Sequence, residues 1–263
     1  MTQRRVLPLA ALAAVAMLAS ACGGGDDSSA AGSDLGLVEN GTLTVCSDVP
    51  YAPFEEFDKG SDLGFKGFDI DIVEQIATGM DLELTITDQD FDGLQSGLTL
   101  TSGTCDLVAS AMTITEDRAK NLEFSEGYYT SKQSLMVPEG SDIASIDDLA
   151  GKRVGVQRGT TGKTYAEENA PEAEHVSFPS DAEMFAAIQA GQVDALLQDL
   201  PVNLNHVRAG GYEIVEEFET SEEYGFAAKK GNTALIEEVD AQLQELRDSG
   251  EYQKIYDSYF KVS

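Results

Sequence analysis

Apolar residues in the first half of the chain alternate between strand-like and helix-like patterns. Runs typical of buried strands lie at 42–48 (TLTVCSD), 82–87 (LELTIT) and 105–112 (CDLVASAM). Between them, 68–79 (FDIDIVEQIATG) places apolar residues on one helical face, and 91–98 (FDGLQSGL) is typical of a second helix. This strand–helix order predicts a mostly parallel sheet flanked by helices, and hence an α/β fold.

A second series of the same kind begins near residue 134 and predicts a second α/β unit. A helix is predicted at 180–191, and two further helices close the chain. The strands predicted in this half lie at 153–157, 175–178, 193–198 and 224–231. Because open parallel sheets bind ligands beyond the carboxyl ends of their strands, two facing units predict a ligand cleft between them.

The N-terminal residues have the pattern of a secretory signal. A basic start precedes an apolar run at 6–18 that is too short to span a bilayer, and small residues lead to Cys22. We therefore predict a signal peptide at 1–21. The ASAC ending is similar to a bacterial lipobox, although Ala19 stands where leucine is usual, and it predicts lipidation of Cys22. Ordinary signal cleavage that leaves a free cysteine is the alternative.

A flexible tether is predicted directly after Cys22. Residues 23–36 (GGGDDSSAAGSDLG) are rich in glycine, serine and aspartate and have no apolar period. We assign the tether to 22–40, ahead of the first strand. The expectation is a body that is secreted across the cytoplasmic membrane and anchored to its outer face as a lipoprotein.

The charge of the chain limits its partners. There are 47 acidic and 17 basic residues, with a formal net charge of −30. Nucleic-acid binding needs a basic surface, so nucleic acid is excluded as a partner. An anionic membrane would repel this acidic protein surface, so we expect contact with the membrane through lipid only. Histidines and cysteines do not cluster, so we predict no metal and no cofactor, and we expect a monomer.

The cysteines leave two readings open. If Cys22 carries lipid, Cys46 and Cys105 remain in an oxidising compartment, where a disulfide is permitted. Both lie near predicted strands that are candidates for neighbours in the sheet. However, Cys46 falls late in its strand and Cys105 early in its own, which in a parallel pair could hold them beyond bonding distance.

One cation stands out beyond a predicted strand. Arg118 lies in SAMTITEDRAKNLEFSEGYY, after a run of small residues and threonines. The planar guanidinium is the side chain best suited to a carboxylate, and Thr113 and backbone N–H groups near Ala111 could share that carboxylate. The alternative is a surface ion pair between Arg118 and Glu116 or Asp117.

Other strand ends supply a complementary set of groups. Asp199 is an acceptor for an ammonium group or, alternatively, the cap of the following helix. Tyr51 and Phe91 could clamp an aliphatic or planar group, or belong to the core. The RGTTG turn at 158–162 is either an anion contact at a helix N-terminus or a plain loop. Together with Arg118, these groups describe a site for an α-amino acid.

The motifs occur in the order known from one protein family. DVPYAPFE, GFDIDIVEQIA, DFDGLQSGL, CDLVASAMTITEDRAKNLEFSEGYY, VGVQRGTTG, VDALLQD and YGFAAKKGN resemble segments of the extracellular solute-binding proteins of family 3. Members of that family are amino-acid-binding subunits of bacterial ABC importers. The resemblance extends over residues 41–260, and MTITEDRAKNLEFSEGYY is its most specific part.

The resemblance implies a two-lobed type II periplasmic-binding-protein fold. Each lobe would hold a mostly parallel sheet flanked by helices, and two hinge crossings would join the lobes. Lobe 1 is expected at 41–130, lobe 2 at 131–222 and the return to lobe 1, with two terminal helices, at 223–263. The crossings are expected near 129–133 and 219–225, and closure would bring the two halves of the site together.

The resemblance also implies roles for individual residues. Arg118 would grip the α-carboxylate with Thr113 and Thr161, and Asp199 would receive the ammonium group. Ala111 can offer only its backbone, because some relatives carry a serine there. The complete set of implied ligand-binding residues is Asp48, Tyr51, Phe91, Ala111, Thr113, Arg118, Gln157, Thr160, Thr161 and Asp199.

The expected function is capture of an amino acid and its delivery to the permease subunits of an ABC importer. Asp48 and Gln157 face the ligand side chain by the same matching and favour a polar or basic amino acid. A dehydratase-like enzyme on the same fold and a sensory ligand-binding module are the alternatives. Neither His175 nor His206 has a nucleophile partner nearby in the sequence, which favours binding over catalysis.

Overall fold

The computed structural model of the protein describes residues 35–261. The predicted signal peptide at 1–21, Cys22 and the tether up to residue 34 lie outside the described residues. Within the described range the chain forms two five-stranded sheets with helices packed on them, and a two-stranded ribbon. We call the unit built on the first five-stranded sheet lobe 1 and the unit built on the second lobe 2.

Lobe 1 contains the first elements of the chain and the last ones. Its strands are β1 (Thr42–Ser47), β2 (Glu56–Phe57), β3 (Phe65–Lys66), β4 (Glu83–Asp88), β5 (Leu107–Val108), β6 (Leu122–Phe124) and β12 (Ala227–Lys229). Its α-helices are α1 (Phe68–Gly79), α2 (Phe91–Gln95), α3 (Leu98–Thr101), α7 (Thr233–Ser249) and α8 (Glu251–Phe260). A 3₁₀ helix spans Arg118–Lys120.

Lobe 2 lies between these two groups in the sequence. Its strands are β7 (Tyr129–Pro138), β8 (Arg153–Gln157), β9 (Glu174–Phe178), β10 (Ala195–Asp199) and β11 (Tyr212–Tyr224). Its helices are α4 (Thr161–Asn169), α5 (Asp181–Gln189) and α6 (Leu200–Arg208), with a 3₁₀ helix at Ile146–Leu149.

Both five-stranded sheets are mixed, but parallel strands dominate each. In lobe 1 the order is β4-β1-β5-β12-β6, and only β12 runs against the other four strands. In lobe 2 the order is β11-β7-β10-β8-β9, and only β7 runs against the others. The carboxyl ends of β1 and β5 therefore share one sheet edge, and those of β8 and β10 share another.

The two chain crossings between the lobes are paired strands. β7 and β11 are antiparallel, with Tyr129 opposite Tyr224 and Ser131 opposite Glu222. The sequence predicted crossings near these residues but no strand as long as β11. Its register shifts between Phe218 and Glu222, so the pairing is interrupted where the chain returns to lobe 1. A paired two-strand connection of this kind is suited to act as a hinge.

Apolar packing joins the end of the chain to its beginning. Leu235, Val239 and Leu243 of α7 are fully buried in the same core as Ile72 and Ile76 of α1. Both residue sets recur at helical spacing, so each helix presents a continuous apolar stripe to the other. The terminal helices therefore pack on lobe 1.

Two predicted elements of lobe 1 are shorter than expected. The helix predicted at 91–98 is divided into α2 and α3 because Gly97 adopts the left-handed region, with φ 77°. The strand predicted at 105–112 pairs only at Leu107–Val108, and Ala111 beyond it has φ 43°. The chain therefore leaves the sheet early and turns toward the space between the lobes.

The two body cysteines form a disulfide in the structure. β1 pairs with β5 in a register that sets Cys46 opposite Val108, and the Cα atoms of Cys46 and Cys105 are 5.8 Å apart. This is within the range that a disulfide requires. Cys105 lies outside the paired part of β5, on the loop that leads into it, so the spacing of a regular parallel pair does not hold the two cysteines apart.

Candidate functional site

One cavity between the lobes is lined by every ligand-binding residue predicted from the sequence. The lining residues are Asp48, Tyr51, Phe91, Ser110, Ala111, Thr113, Arg118, Gln157, Thr160, Thr161 and Asp199. Ser110 is the single addition to the predicted set. The cavity volume is about 20 Å³, which is close to the space that one water molecule needs. A molecule much larger than water can therefore be admitted only if the lobes move apart.

Four strands bring these residues together. Asp48 directly follows β1, and Ala111 lies just beyond β5. Gln157 is the last residue of β8, and Asp199 is the last residue of β10. The site is therefore built from carboxyl ends of parallel strands in both lobes, which is where open α/β sheets place ligands.

Arg118 is buried at the cavity rather than exposed on a turn, with 6% of its surface accessible. Its Nη1 donates to the carbonyl of Thr113 at 2.7 Å, and its Nη2 donates across the cleft to the carbonyl of Gly159 at 2.9 Å. The guanidinium lies 5.2 Å from the ring centre of Phe91. Burial lowers the pKa of Arg118 to about 10, partly offset by nearby carboxylates such as Asp199. The group is therefore a cation at neutral pH.

The surface ion pair considered for Arg118 is not formed among residues 35–261. Asp117 instead pairs with Lys120 at 2.5 Å, and both side chains are exposed. Two of the five N–H groups of the guanidinium are engaged by backbone carbonyls. The geometry thus leaves Arg118 a desolvated cation with further donors, as a receptor for an anion requires.

Asp199 occupies the N-cap position of α6, but its carboxylate makes no capping hydrogen bond. It accepts from the hydroxyls of Tyr51 at 2.8 Å and Tyr224 at 2.6 Å, and from Nε2 of Gln133 at 2.5 Å. Burial raises the pKa of Asp199 to about 7, and the nearby carboxylate of Glu222 raises it further. An approaching cation would favour the ionised form of this carboxyl group.

The predicted aromatic residues line the cavity, and each also contacts another site residue. The hydroxyl of Tyr51 in lobe 1 reaches Asp199 in lobe 2. The ring of Phe91 lies beneath the guanidinium of Arg118. Tyr51 therefore contacts Asp199 through its hydroxyl, and Phe91 contacts Arg118 through its ring, while both residues line the cavity.

The far end of the cavity is acidic. Gln157 donates from Nε2 to Asp48 at 2.5 Å, which joins lobe 2 to lobe 1. Burial raises the pKa of Asp48 to about 7; the Gln157 hydrogen bond opposes this shift, and carboxylates at Asp88, Asp90 and Asp181 add to it. This concentration of carboxyl groups around one buried aspartate favours a positively charged group in the cavity.

Two predicted contacts differ from expectation. The backbone N–H of Ala111 donates to Asp69 at 2.8 Å, so it is not directed to a ligand carboxylate. The hydroxyl of Thr160 donates to the carbonyl of Gln157 at 2.8 Å and accepts from the N–H of Lys163 at 3.1 Å. Thr160 is thus the N-cap of α4. Because the Ala111 N–H and the Thr160 hydroxyl donate to other protein groups, both residues form part of the cavity wall without directing these donors to a ligand.

A buried pair of acids, missed in the sequence, supports the Ser110–Ala111 segment. The hydroxyl of Ser110 donates to Glu55 at 2.7 Å, while Asp69 accepts from Ala111 and from the hydroxyl of Tyr128 at 2.6 Å. Burial raises the pKa of Asp69 to about 7 and raises that of Glu55 well above its usual range. The pair fixes the backbone that forms one wall of the cavity.

Two further residues from the crossing strands enter the site. Gln133 on β7 donates to Asp199, and also to Glu222 on β11 at 2.9 Å. Glu222 accepts from the hydroxyls of Thr113 at 2.6 Å and Thr161 at 2.8 Å. Their sequence signal is slight: a glutamine inside an apolar strand and an acidic residue beside a predicted crossing.

Gly159 shows how closely the lobes approach. Its φ is 77°, and a Cβ atom there would lie 3.0 Å from side-chain atoms of both Asp92 and Gln95 in lobe 1. Because its carbonyl also accepts from Arg118, this turn is one of the direct contacts between the lobes. A glycine is needed both for the backbone conformation and for the close approach.

Neither a metal centre nor a membrane span is found in the part of the chain that the structure describes. No group of three or more histidine, cysteine, aspartate and glutamate side chains between residues 35 and 261 is arranged to hold a metal ion. Over the same residues, no helix has the length and apolar character needed to cross a bilayer.

Known proteins match this chain over most of its length. A probable histidine-binding protein of Neisseria gonorrhoeae is 34% identical over 263 residues, covering 95% of this chain and 94% of the relative. The ABC transporter glutamine-binding protein GlnH of Bacillus subtilis is 37% identical over 149 residues, covering 56% of this chain and 55% of the relative. The solved structure of an ancestral arginine-binding protein bound to arginine superposes with a TM-score of 0.79 at 36% identity, covering 84% and 99% of the two chains.

These similarities establish the class of the protein. The superposed structure has the type II periplasmic-binding-protein fold expected from the sequence. The matched proteins are binding proteins by name, so this chain is a binding protein rather than an enzyme. The family model for bacterial extracellular solute-binding proteins, family 3, matches residues 43–262. The chain therefore belongs to the bacterial extracellular solute-binding proteins, family 3.

Proposed function

We propose that the protein binds an α-amino acid in the cavity between the lobes and delivers it to the permease subunits of an ABC importer. The observation that carries the proposal is the pairing of two buried opposite charges across one cavity. Arg118 of lobe 1 supplies the receptor for a carboxylate, and Asp199 of lobe 2 supplies the receptor for an ammonium group. The names of the relatives, which refer to histidine, glutamine and arginine, support this class of ligand.

A thermal-shift screen of the twenty amino acids tests this proposal. A ligand that binds the folded protein stabilises it by about 2.7 kcal/mol at 100 times its dissociation constant. We expect at least one amino acid to raise the melting temperature, and titration calorimetry to give one site per chain. If none of the twenty stabilises the protein, the proposed function is wrong.

Within this class we propose a polar or basic side chain. Asp48 lies at the cavity with Asp88, Asp90 and Asp181 close enough to raise its pKa. A cationic ligand side chain would relieve this repulsion, whereas an apolar one would leave it unchanged. The hydrogen bond between Gln157 and Asp48 gives the same end of the cavity a polar group that either a guanidinium or an amide could contact.

Asp48→Asn tests the choice between basic and neutral ligands. At about pH 8, above the pKa of about 7, the substitution should weaken arginine or lysine binding about tenfold, or 1.4 kcal/mol, and glutamine binding much less. Lowering the pH to about 6 protonates Asp48 and removes its attraction for a cation. Wild-type affinity for a basic amino acid should therefore rise more steeply with pH than affinity for glutamine, and calorimetry at several pH values measures both.

The exposed residue Asp62 of the same lobe provides the control. Asp62→Asn removes the same charge from the chain and should leave both affinities and both pH profiles as in the wild type. An equal loss for basic and neutral ligands in Asp48→Asn would show that Asp48 does not read the side chain.

We also propose that the mature protein is held at the membrane by lipid on Cys22. The ASAC sequence after the apolar run supports this, and the flexible segment at 23–36 gives the anchor a tether. Cys22→Ser should move the protein from the membrane fraction to the soluble fraction, because a lipid anchor needs the cysteine sulfur.

Fractionation and detergent partitioning of cells that produce each variant would measure this effect. Ser20→Ala, which leaves Cys22 in place, is the control and should remain with the membrane. Equal partitioning of Cys22→Ser and wild type would rule out the anchor without bearing on ligand binding.

A further inference from the structure

Glu222 is a buried carboxylate beside the cavity. Its hydrogen-bond partners determine which polar atoms of the cavity wall are available to a ligand. One oxygen, Oε2, accepts from the hydroxyls of both Thr113 and Thr161. The other, Oε1, accepts from Gln133. Only 7% of Glu222 is exposed. The carboxylate thus has three donors, and two of them are the threonine hydroxyls expected to hold the ligand carboxylate.

The number of hydroxyl protons determines whether these threonines can donate to a ligand or only accept from it. Each hydroxyl has one proton to donate and lone pairs with which to accept. When both protons point to Glu222, the oxygens of Thr113 and Thr161 can only accept from a ligand. They then suit an N–H donor and would repel a carboxylate oxygen.

We propose that Glu222 is a positioning residue that turns the Thr113 and Thr161 hydroxyls into acceptors for the ligand ammonium group. This inference rests on the proposed function, since it requires a ligand with an ammonium group. Arg118 is then the principal receptor for the carboxylate. Glu222 sets selectivity for an α-amino group by fixing the direction of two protons.

The surrounding structure holds Glu222 in this position. Ser221 has φ 52°, and the register of β11 against β7 shifts between Phe218 and Glu222. Such an irregularity redirects a side chain relative to a regular strand. Gln133 donates to Asp199 as well as to Glu222, so one amide connects Glu222 to the ammonium receptor. The acceptors of both threonines and of Asp199 are therefore organised together.

The test compares ligands that differ only in the α-amino group. L-arginine is paired with 5-guanidinopentanoic acid, and L-glutamine with glutaramic acid, by calorimetry on wild type and Glu222→Gln. We expect the wild type to prefer the amino acid of whichever pair it binds. Glu222→Gln should reduce that preference about tenfold, which corresponds to 1.4 kcal/mol, because its amide accepts fewer protons and frees a hydroxyl to donate.

Glu223→Gln is the matched control, since it removes the same charge from the adjacent, exposed residue. It should leave the preference within about a factor of two of wild type, a difference below 0.5 kcal/mol. If Glu222→Gln weakens the amino acid and its analogue by the same factor, Glu222 has only a structural role and the inference is overturned. Absence of binding by the wild type would instead contradict the proposed function.

A second measurement does not depend on a ligand. NMR of threonine-labelled protein should show slowly exchanging hydroxyl protons for Thr113 and Thr161, assigned by Thr113→Val and Thr161→Val. Both signals should shift or be lost in Glu222→Gln and persist in Glu223→Gln. Hydroxyl signals that are the same in wild type and Glu222→Gln would show that the protons do not point to Glu222, and the inference would fail.

Discussion

Arg118→Ala is expected to weaken amino-acid binding by about 30-fold to several thousand-fold. The guanidinium is buried, retains N–H donors and lies opposite the acidic receptor in lobe 2. Without it, a ligand carboxylate would be desolvated in the closed cleft with no cationic partner. Removing one member of a buried charge pair costs about 2–5 kcal/mol, and each 1.4 kcal/mol is a factor of ten in the dissociation constant.

Arg118→Lys separates charge from geometry. Lysine keeps the cation but loses the planar arrangement of donors, so it should bind the ligand better than alanine and worse than arginine. Arg153→Ala is the control, because Arg153 pairs with Asp194 at 2.6 Å in a partly exposed ion pair remote from the cavity lining. Such pairs contribute about 0–1 kcal/mol to stability, and their loss should leave affinity unchanged.

Calorimetry must be accompanied by a melting curve, since Arg118 also bonds to carbonyls in both lobes. A folded Arg118→Ala protein that binds within about threefold of wild type, under 1 kcal/mol, would remove Arg118 from the carboxylate receptor. The main reason for proposing a carboxylate ligand would then be lost.

Cavity residues could be predicted from the sequence because many of them lie at strand ends, and the carboxyl ends of parallel strands meet at one edge of a sheet. Asp48, Ala111 and Asp199 lie at or near the ends of predicted strands, and the βα order implied that such ends meet. The family resemblance added Gln157. The structure brings these residues together in one cavity. Their positions depend on the strand order, which periodicity and family resemblance both reveal.

The direction of individual donors could not be predicted in this way. The N–H of Ala111 faces Asp69, 42 positions earlier in the chain, because φ at Ala111 is 43°. The hydroxyl of Thr160 caps α4, whereas the alternatives considered for the RGTTG turn were an anion contact and a plain loop. A strand-end position tells which residues approach the cavity, whereas hydrogen-bond direction depends on partners that are fixed only by the complete fold.

Glu222 and Gln133 were missed for a related reason. They lie 89 residues apart in the sequence and meet through the pairing of β7 with β11. The strand β11 is interrupted and carries many charged residues, so it lacks the alternation that indicates a half-buried strand. Buried polar contacts that arise from such a strand have no local signature.

Asp199→Asn is expected to reduce affinity on the same scale as Arg118→Ala. The asparagine oxygen can still accept from Tyr51 and Tyr224, which now donate to Oδ2 of Asp199. Its nitrogen would then face the amide of Gln133, which is also a donor. The variant therefore has neither the charge nor the acceptor needed by a buried ammonium group, and truncating such a pair costs about 2–5 kcal/mol.

The pH dependence of binding provides a sharper signature of Asp199. Its pKa is about 7, and an ammonium ligand requires the ionised carboxylate. Below that pH the group must release a proton before the ligand binds, so affinity for a neutral amino acid such as glutamine should fall about tenfold per pH unit. In Asp199→Asn this dependence should flatten, because the titrating group is absent. A neutral ligand is used so that the separate effect of Asp48 on cationic side chains does not contribute.

Asp194→Asn is the matched control, because Asp194 lies just before the opposite end of the same strand and pairs with Arg153. It should retain the wild-type affinity for glutamine and the wild-type pH profile. Full affinity in Asp199→Asn would exclude Asp199 as the ammonium receptor. A variant with reduced affinity but an unchanged pH profile would instead assign the titration to another buried acid, such as Asp48 in the cavity or the Glu55 and Asp69 pair beneath Ser110 and Ala111.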